Sequence, residues 1–185
     1  GCGGVDCGRG AEWGDAGDGT GGVGAGEGRC GIVGEGGNLG CRKRARIECA
    51  RQGGGINTDA IDNSAGVDTA DHEGNMQILL QALVATGELS FERRNDLLKE
   101  MTDDVAALVL QDNDAQSLAL SLAQRRSVVD LELFGTLLEE LVESGGLDLA
   151  VEFLPDARQL AERARTNEGL TRPELAVIMA YVKME

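Results

Sequence analysis

Two stretches carry residue types that could do chemistry: Gly34-Glu35-Gly36-Gly37-Asn38-Leu39-Gly40, and the segment that answers it from Asn57 to Asp68, Asn57-Thr58-Asp59-Ala60-Ile61-Asp62-Asn63-Ser64-Ala65-Gly66-Val67-Asp68. The first is rich in glycine, so its backbone can come close to a ligand with no Cβ in the way. The second is crowded with short amide, hydroxyl and carboxylate side chains. Such side chains either bond their own backbone in Asx-type turns or line a polar pocket, and the sequence leaves both readings open. Whatever chemistry the chain holds is expected between residues 32 and 73.

Several function classes are excluded. No Gly-Lys-Ser/Thr follows the glycine loop, so it is not a nucleotide P-loop. Two formal GxGxxG matches, Gly17-Gly19-Gly22 and Gly19-Gly21-Gly24, neither follow a strand nor open a helix, which is the context a dinucleotide cradle needs. The five cysteines, Cys2, Cys7, Cys30, Cys41 and Cys49, are odd in number, form no CxxC pair and share the chain with one histidine, His72. That pattern predicts reduced thiols of a cytoplasmic protein and no metal site. A formal net charge of −15 argues against nucleic acid, and the one basic cluster, Arg42-Lys43-Arg44-Ala45-Arg46, reads as a solvated helix face. With three phenylalanines, one tyrosine and one tryptophan there is little surface for stacking bases. No apolar run has membrane-spanning length.

The elements that must position these stretches follow from periodicity and caps. Residues 1–28 are glycine-dominated; each ordered residue costs about 1–2 kcal/mol of backbone entropy, with almost no apolar side chain to bury in return, so disorder is expected. Cys30-Gly31-Ile32-Val33 is the first plausible strand. It runs into the glycine loop, and a helix from Arg42 to about Gln52 follows, giving the βα form of an open α/β sheet.

The remainder reads as helices. One follows Gly66 with Met76, Leu79, Leu80 and Leu83 on one face and ends at Gly87. Ser90 caps Phe91–Met101, Thr102 caps Asp103–Leu110, and a separate pattern covers Asn113–Arg126. Ser127 with Asp130 forms a capping box before the stripe Leu131, Phe134, Leu137, Leu138, Leu141 and Val142, ended by Gly145-Gly146. Leu147–Leu154 stops at Pro155, Asp156–Thr166 ends at Gly169, and Thr171-Arg172-Pro173-Glu174 opens the last helix with a capping box and a first-turn proline. The chain begins at a glycine and stops inside an apolar helical pattern, so both ends read as cuts.

The ordered strings GEGGNLG (34–40), NTDAIDNSAGVDTADHE (57–73), EMTDDVAALVLQDN (100–113), VEFLPD (151–156) and GLTRPELAV (169–177) resemble the large bacterial NAD-specific glutamate dehydrogenases, over roughly residues 29–185. The resemblance implies that residues 29–86 close a Rossmann-type NAD-binding domain and that 88–185 begin a helical region, an α/β part followed by an all-α part. It implies NAD as cofactor, with Gly36, Gly37 and Asn38 at its nicotinamide end. Asn63 would face both cofactor and amino acid, and Val67 would line the substrate. Three residues beyond that valine the family carries a serine that holds the substrate's distal carboxylate; here the residue is Ala70.

The implied reaction is reversible oxidative deamination of L-glutamate to 2-oxoglutarate and ammonia, in a full-length enzyme that is a homo-oligomer. The family's catalytic lysine and aspartate precede the Rossmann domain and are not in this sequence. No catalytic residue is therefore assigned here, and the chain alone is expected to be inactive. The competing reading is a non-catalytic helical interaction module with a vestigial dehydrogenase loop.

Overall fold

The computed structural model describes residues 31–34 and 41–184. The expected disorder of residues 1–28, and the loop positions Gly36, Gly37 and Asn38, lie outside the described residues. The described chain is mostly helical, with two short strands: β1 (Ile32–Val33), α1 (Lys43–Arg51), β2 (Gly55–Ile56), α2 (Asp59–Asp62), α3 (Ser64–Ala85), α4 (Phe91–Glu100), α5 (Thr102–Ser127), α6 (Leu131–Glu143), α7 (Leu149–Glu152), α8 (Ala157–Thr166) and α9 (Arg172–Met184). Two compact units emerge. One takes in the described residues up to Asp62 and those from Leu118 onward, and the other is Asn63–Ser117.

In the first unit, β1 and β2 pair in parallel, Ile32 opposite Gly55 and Val33 opposite Ile56. Parallel neighbours need a crossover, and α1 supplies it. The turn back into β2 depends on glycine twice: Gly53 has φ +90°, and a Cβ on Gly54 would lie 2.6 Å from Cys49 Sγ and 3.0 Å from Cys49 O.

The core of this unit gathers Leu120, Leu131, Leu138, Leu141, Leu175 and Ile178, all buried, with Ile61 beside them. Each such side chain contributes about 1.5–3 kcal/mol by leaving water. The α6 stripe is therefore realised at Leu131, Leu138 and Leu141, with Phe134 and Leu137 packed at its edge, while Val142 stays exposed. Its start differs from the expected capping box. Asp130 makes no side-chain capping bond, and Ser127 ends α5, where its hydroxyl donates to Gln124 O at 2.9 Å and accepts from Leu170 N–H at 2.9 Å.

Caps delimit the last helices. Asp156 and Gln159 form a reciprocal capping box at the start of α8. That helix ends at Asn167, which takes the left-handed conformation (φ 56°) in place of the expected Gly169. The box before α9 is present: Thr171 N–H donates to Glu174 Oε2 at 2.7 Å. Pro173 sits in its first turn, where a missing N–H breaks no bond.

The second unit consists of α3, α4 and the first part of α5. Ser90 caps α4 by accepting from Arg93 N–H at 3.1 Å. Residues 102–127 form one helix of 26 residues, not two. Thr102 is not its cap, because its hydroxyl donates backward to Leu98 O at 3.1 Å, and Gln111-Asp112-Asn113 continue the helix without a break. Local polarity suggested a boundary there, but nothing in the segment is a proline or glycine, so the helix propagates. α3 begins two residues before Gly66 and ends as expected with Gly87 at φ +78°. Its stripe is only partly used: Leu80 is buried, but Leu79 is 64% exposed. Among the described residues no helix is long and apolar enough to cross a membrane.

Candidate functional site

The polar string is built differently on its two sides. In the first unit, Arg46 is 1% exposed, which overturns its reading as part of a solvated basic face. It is held inside because its fork meets acceptors on every side: Nε donates to Cys41 O at 3.1 Å, Nη1 donates to Asn57 O at 2.6 Å, and Nη2 pairs with Asp59 Oδ1. Lys43 pairs with Glu152, and Arg44 with Glu48 one turn on. Asn57 is drawn in two directions. Its Nδ2 donates to Asp62 Oδ1 at 2.8 Å, while its Oδ1 accepts from Arg172 Nε at 2.7 Å. Residues 57–62 are therefore tied both locally and to α1 and α9, and this network fixes the segment that follows β2.

In the second unit, Asn63 stands at the head of α3. Its carbonyl accepts from Gly66 N–H at 3.1 Å, and its side chain makes no capping bond to the helix. The amide lies over the first turn: a Cβ on Gly66 would fall 2.7 Å from Asn63 Oδ1. Glycine at 66 is thus what leaves room for that amide. Val67 and Ala70 follow at helical spacing on the same face as Asn63, and both are exposed. Of the site residues expected from the sequence, the structure thus brings Asn63, Val67 and Ala70 onto one stripe. Ser64 is buried, and its hydroxyl donates to Asn113 Oδ1 at 2.7 Å, joining α3 to α5.

A further group was missed. Asp68, His72 and Asp112 each offer a ligand atom, and these atoms lie within 4.8 Å of one another. Asp68 and His72 are four apart on α3, the spacing that stacks two side chains on one helix face, and that spacing was the available signal. Asp112 could not be found from the sequence, because it arrives from α5.

A 530 Å³ cavity in the first unit is lined by Arg44, Arg51, Phe153, Gln159 and Arg163 among others, away from the polar string. A 290 Å³ cavity in the second is lined by Thr69, Glu73, Met76, Leu98 and Val105. Neither gathers the expected site residues.

Comparison with known proteins gives this geometry a family. Residues 8–123 match the model of the bacterial NAD-glutamate dehydrogenase catalytic domain. The NAD-specific glutamate dehydrogenase of Pseudomonas aeruginosa is 49% identical over 157 residues, covering 85% of this chain and 10% of that protein. The protein of the same name from Halomonas elongata is 46% identical over 154 residues, 83% of this chain and 10% of its own length. That from Mycobacterium tuberculosis is 43% identical over 162 residues, 88% and 10% respectively. The chain spans about a tenth of the length of the relatives it matches. On this evidence the chain belongs to the bacterial NAD-glutamate dehydrogenase family.

Proposed function

We propose that this chain is one wall of the catalytic site of an NAD-dependent glutamate dehydrogenase, the closing part of a Rossmann-type domain over residues 29–86 followed by a helical region over 88–185. The observation that carries the reading is the Asn63 amide laid over Gly66 at the head of α3, with Val67 and Ala70 continuing its face. An amide presents a donor and an acceptor together, which suits the carboxamide of a nicotinamide ring or the amino and carboxylate groups of an amino acid. The glycine beneath it leaves the room that the Asn63 side chain takes at the head of α3.

NAD, when bound, supplies the acceptor for the hydride that leaves the glutamate α-carbon. This chain's own part is to bind and orient. Asn38 and its glycine neighbours Gly36 and Gly37 would face the nicotinamide end, Asn63 would hold cofactor and amino acid in register, and Val67 would pack against the substrate stem. Holding two reactants in one geometry is itself a large share of catalysis. The lysine and aspartate that would move protons are not in this sequence, so the chain alone has no activity, and the full-length enzyme acts as a cytoplasmic homo-oligomer.

The test is a chimera in which residues 29–185 replace the matching segment of the Pseudomonas aeruginosa relative. NADH formation from glutamate within about tenfold of the parent is expected. A soluble, folded chimera with no glutamate-dependent NADH formation would overturn the reading in favour of a non-catalytic module.

A further inference from the structure

We infer that Asp68, His72 and Asp112 form a binding site for a first-row divalent transition metal ion of the zinc class. The three residues come from two helices, α3 and α5, and their ligand atoms lie within 4.8 Å of one another. A four-coordinate ion with bonds of about 2.0–2.2 Å holds its ligand atoms roughly 3.4 Å apart. Asp68 Oδ1 and His72 Nε2 are 3.6 Å apart, near that spacing and too far for a hydrogen bond.

Two further observations point to a cation. Asp68 Oδ2 is shielded from solvent and has no hydrogen-bond partner. A buried acceptor left unpaired is destabilising, and an ion held by that carboxylate compensates it. The site also brings two carboxylates together, Asp68 and Asp112, which repel unless positive charge lies between them. A plain His72–Asp68 ion pair accounts for neither the shielded oxygen nor the arrival of Asp112.

The donor set selects the ion class. Imidazole beside carboxylates suits zinc and its neighbours, whereas magnesium and calcium take oxygen ligands alone. Asp112 is exposed, which gives an entry path and leaves room for water to complete the coordination. The triad lies on the other side of α3 from Asn63, Val67 and Ala70, so it does not depend on the dehydrogenase reading.

The chain has a single histidine, so its imidazole proton signals report on His72 without assignment. The experiment titrates the 185-residue chain with Zn²⁺ whose free concentration is set by a chelator, so that the cysteines do not compete for a limiting supply. The imidazole signals are expected to shift and saturate. Asp112→Asn, an isosteric change at an exposed position, should weaken the saturation at least about tenfold, as should Asp68→Asn, with far-ultraviolet circular dichroism unchanged. Glu88→Gln, just beyond the far end of α3, should leave it as it was. Signals unmoved by Zn²⁺, or a shift of equal affinity in Asp112→Asn, would overturn the site. If Asp68→Asn fails to fold, the Asp112→Asn titration decides alone.

Discussion

Arg172 Nε donates to Asn57 Oδ1 at 2.7 Å across 115 residues of sequence, and the same guanidinium donates through Nη1 to Ser121 Oγ at 2.8 Å. One side chain at the start of α9 thus fastens both the polar string and the C-terminal half of α5. Removing it leaves partly buried acceptors behind. Arg172→Ala is expected to lower stability by about 1.5–3 kcal/mol in urea unfolding followed by circular dichroism. Arg172→Lys should recover less than half, because an ammonium is a point donor and does not reach both acceptors as the fork does. An alanine variant with an unchanged midpoint would contradict this account.

Arg163 and Glu174 form a two-bond pair, Nη1 to Oε2 at 2.9 Å and Nη2 to Oε1 at 2.6 Å, with Glu174 fully buried. Breaking a buried pair from one side strands a charge, so Glu174→Gln should cost about 3–5 kcal/mol. Replacing both, Arg163→Met with Glu174→Leu, should recover most of that. A deficit of about 1 kcal/mol should remain, because Glu174 also closes the capping box with Thr171. Thermal unfolding of the single and double variants checks it, and a double variant no better than the single would count against the argument.

Tyr181 donates to Glu152 Oε1 at 3.1 Å. Its phenol is raised above the ordinary value of 10.0, first by desolvation, then by the bond to Glu152 and the charges of Glu152 and Asp148. The protonated phenol is the form the fold favours. Its contribution is therefore fully present below about pH 10, and it is lost as pH rises from there through the raised value. It is the only tyrosine, so phenolate absorbance reads it directly. A midpoint above the free phenol is expected, moving back toward it in Glu152→Gln.

Ala70 is exposed on α3, on the face shared with Asn63 and Val67. In a full-length enzyme carrying this segment, Ala70→Ser would add a hydroxyl able to donate to the substrate's distal carboxylate, a charge-assisted bond of about 1.5–3 kcal/mol. The KM for glutamate should fall about tenfold or more while that for NAD stays put. Packing alone predicts no kinetic change, since serine at an exposed helical position only slightly weakens the helix. Unmoved glutamate kinetics would mean that position 70 does not face the substrate.

Local signals in the sequence located α1, α4, α6, α8 and α9 within a residue or two, because Ser90, Asp156, Thr171 and Gly145 act on their own neighbours. The continuity of α5 was not legible, since polar residues at 111–113 resemble a boundary on a helix whose solvent face is also polar. The burial of Arg46 was equally hidden. A basic run looks alike whether it is solvated or caged, and Asn57 and Asp59, which cage it, become neighbours only when α1 turns back through Gly53 and Gly54. Of the candidate site, the shared face of Val67 and Ala70 follows from helical spacing after Gly66, whereas Asn63 joins that face only because α3 already starts at Ser64. The convergence of Asp68 and His72 with Asp112 needs the packing of α5 on α3.

Gly169 illustrates a different kind of constraint. Its φ is not in the left-handed region, and the helix before it is already closed by Asn167. What glycine provides there is proximity: a Cβ would fall 2.4 Å from Ser127 Oγ, 2.9 Å from Val128 Cγ2 and 3.0 Å from the Val128 backbone nitrogen. Trimming Ser127 would relieve one of these contacts and forfeit the hydroxyl that accepts from Leu170 N–H, and the backbone contact would remain. Positions 127, 128 and 169 are therefore bound in mutual epistasis. A lineage drifting under selection for this fold reaches an alanine at 169 only with compensating shifts at Ser127 and Val128.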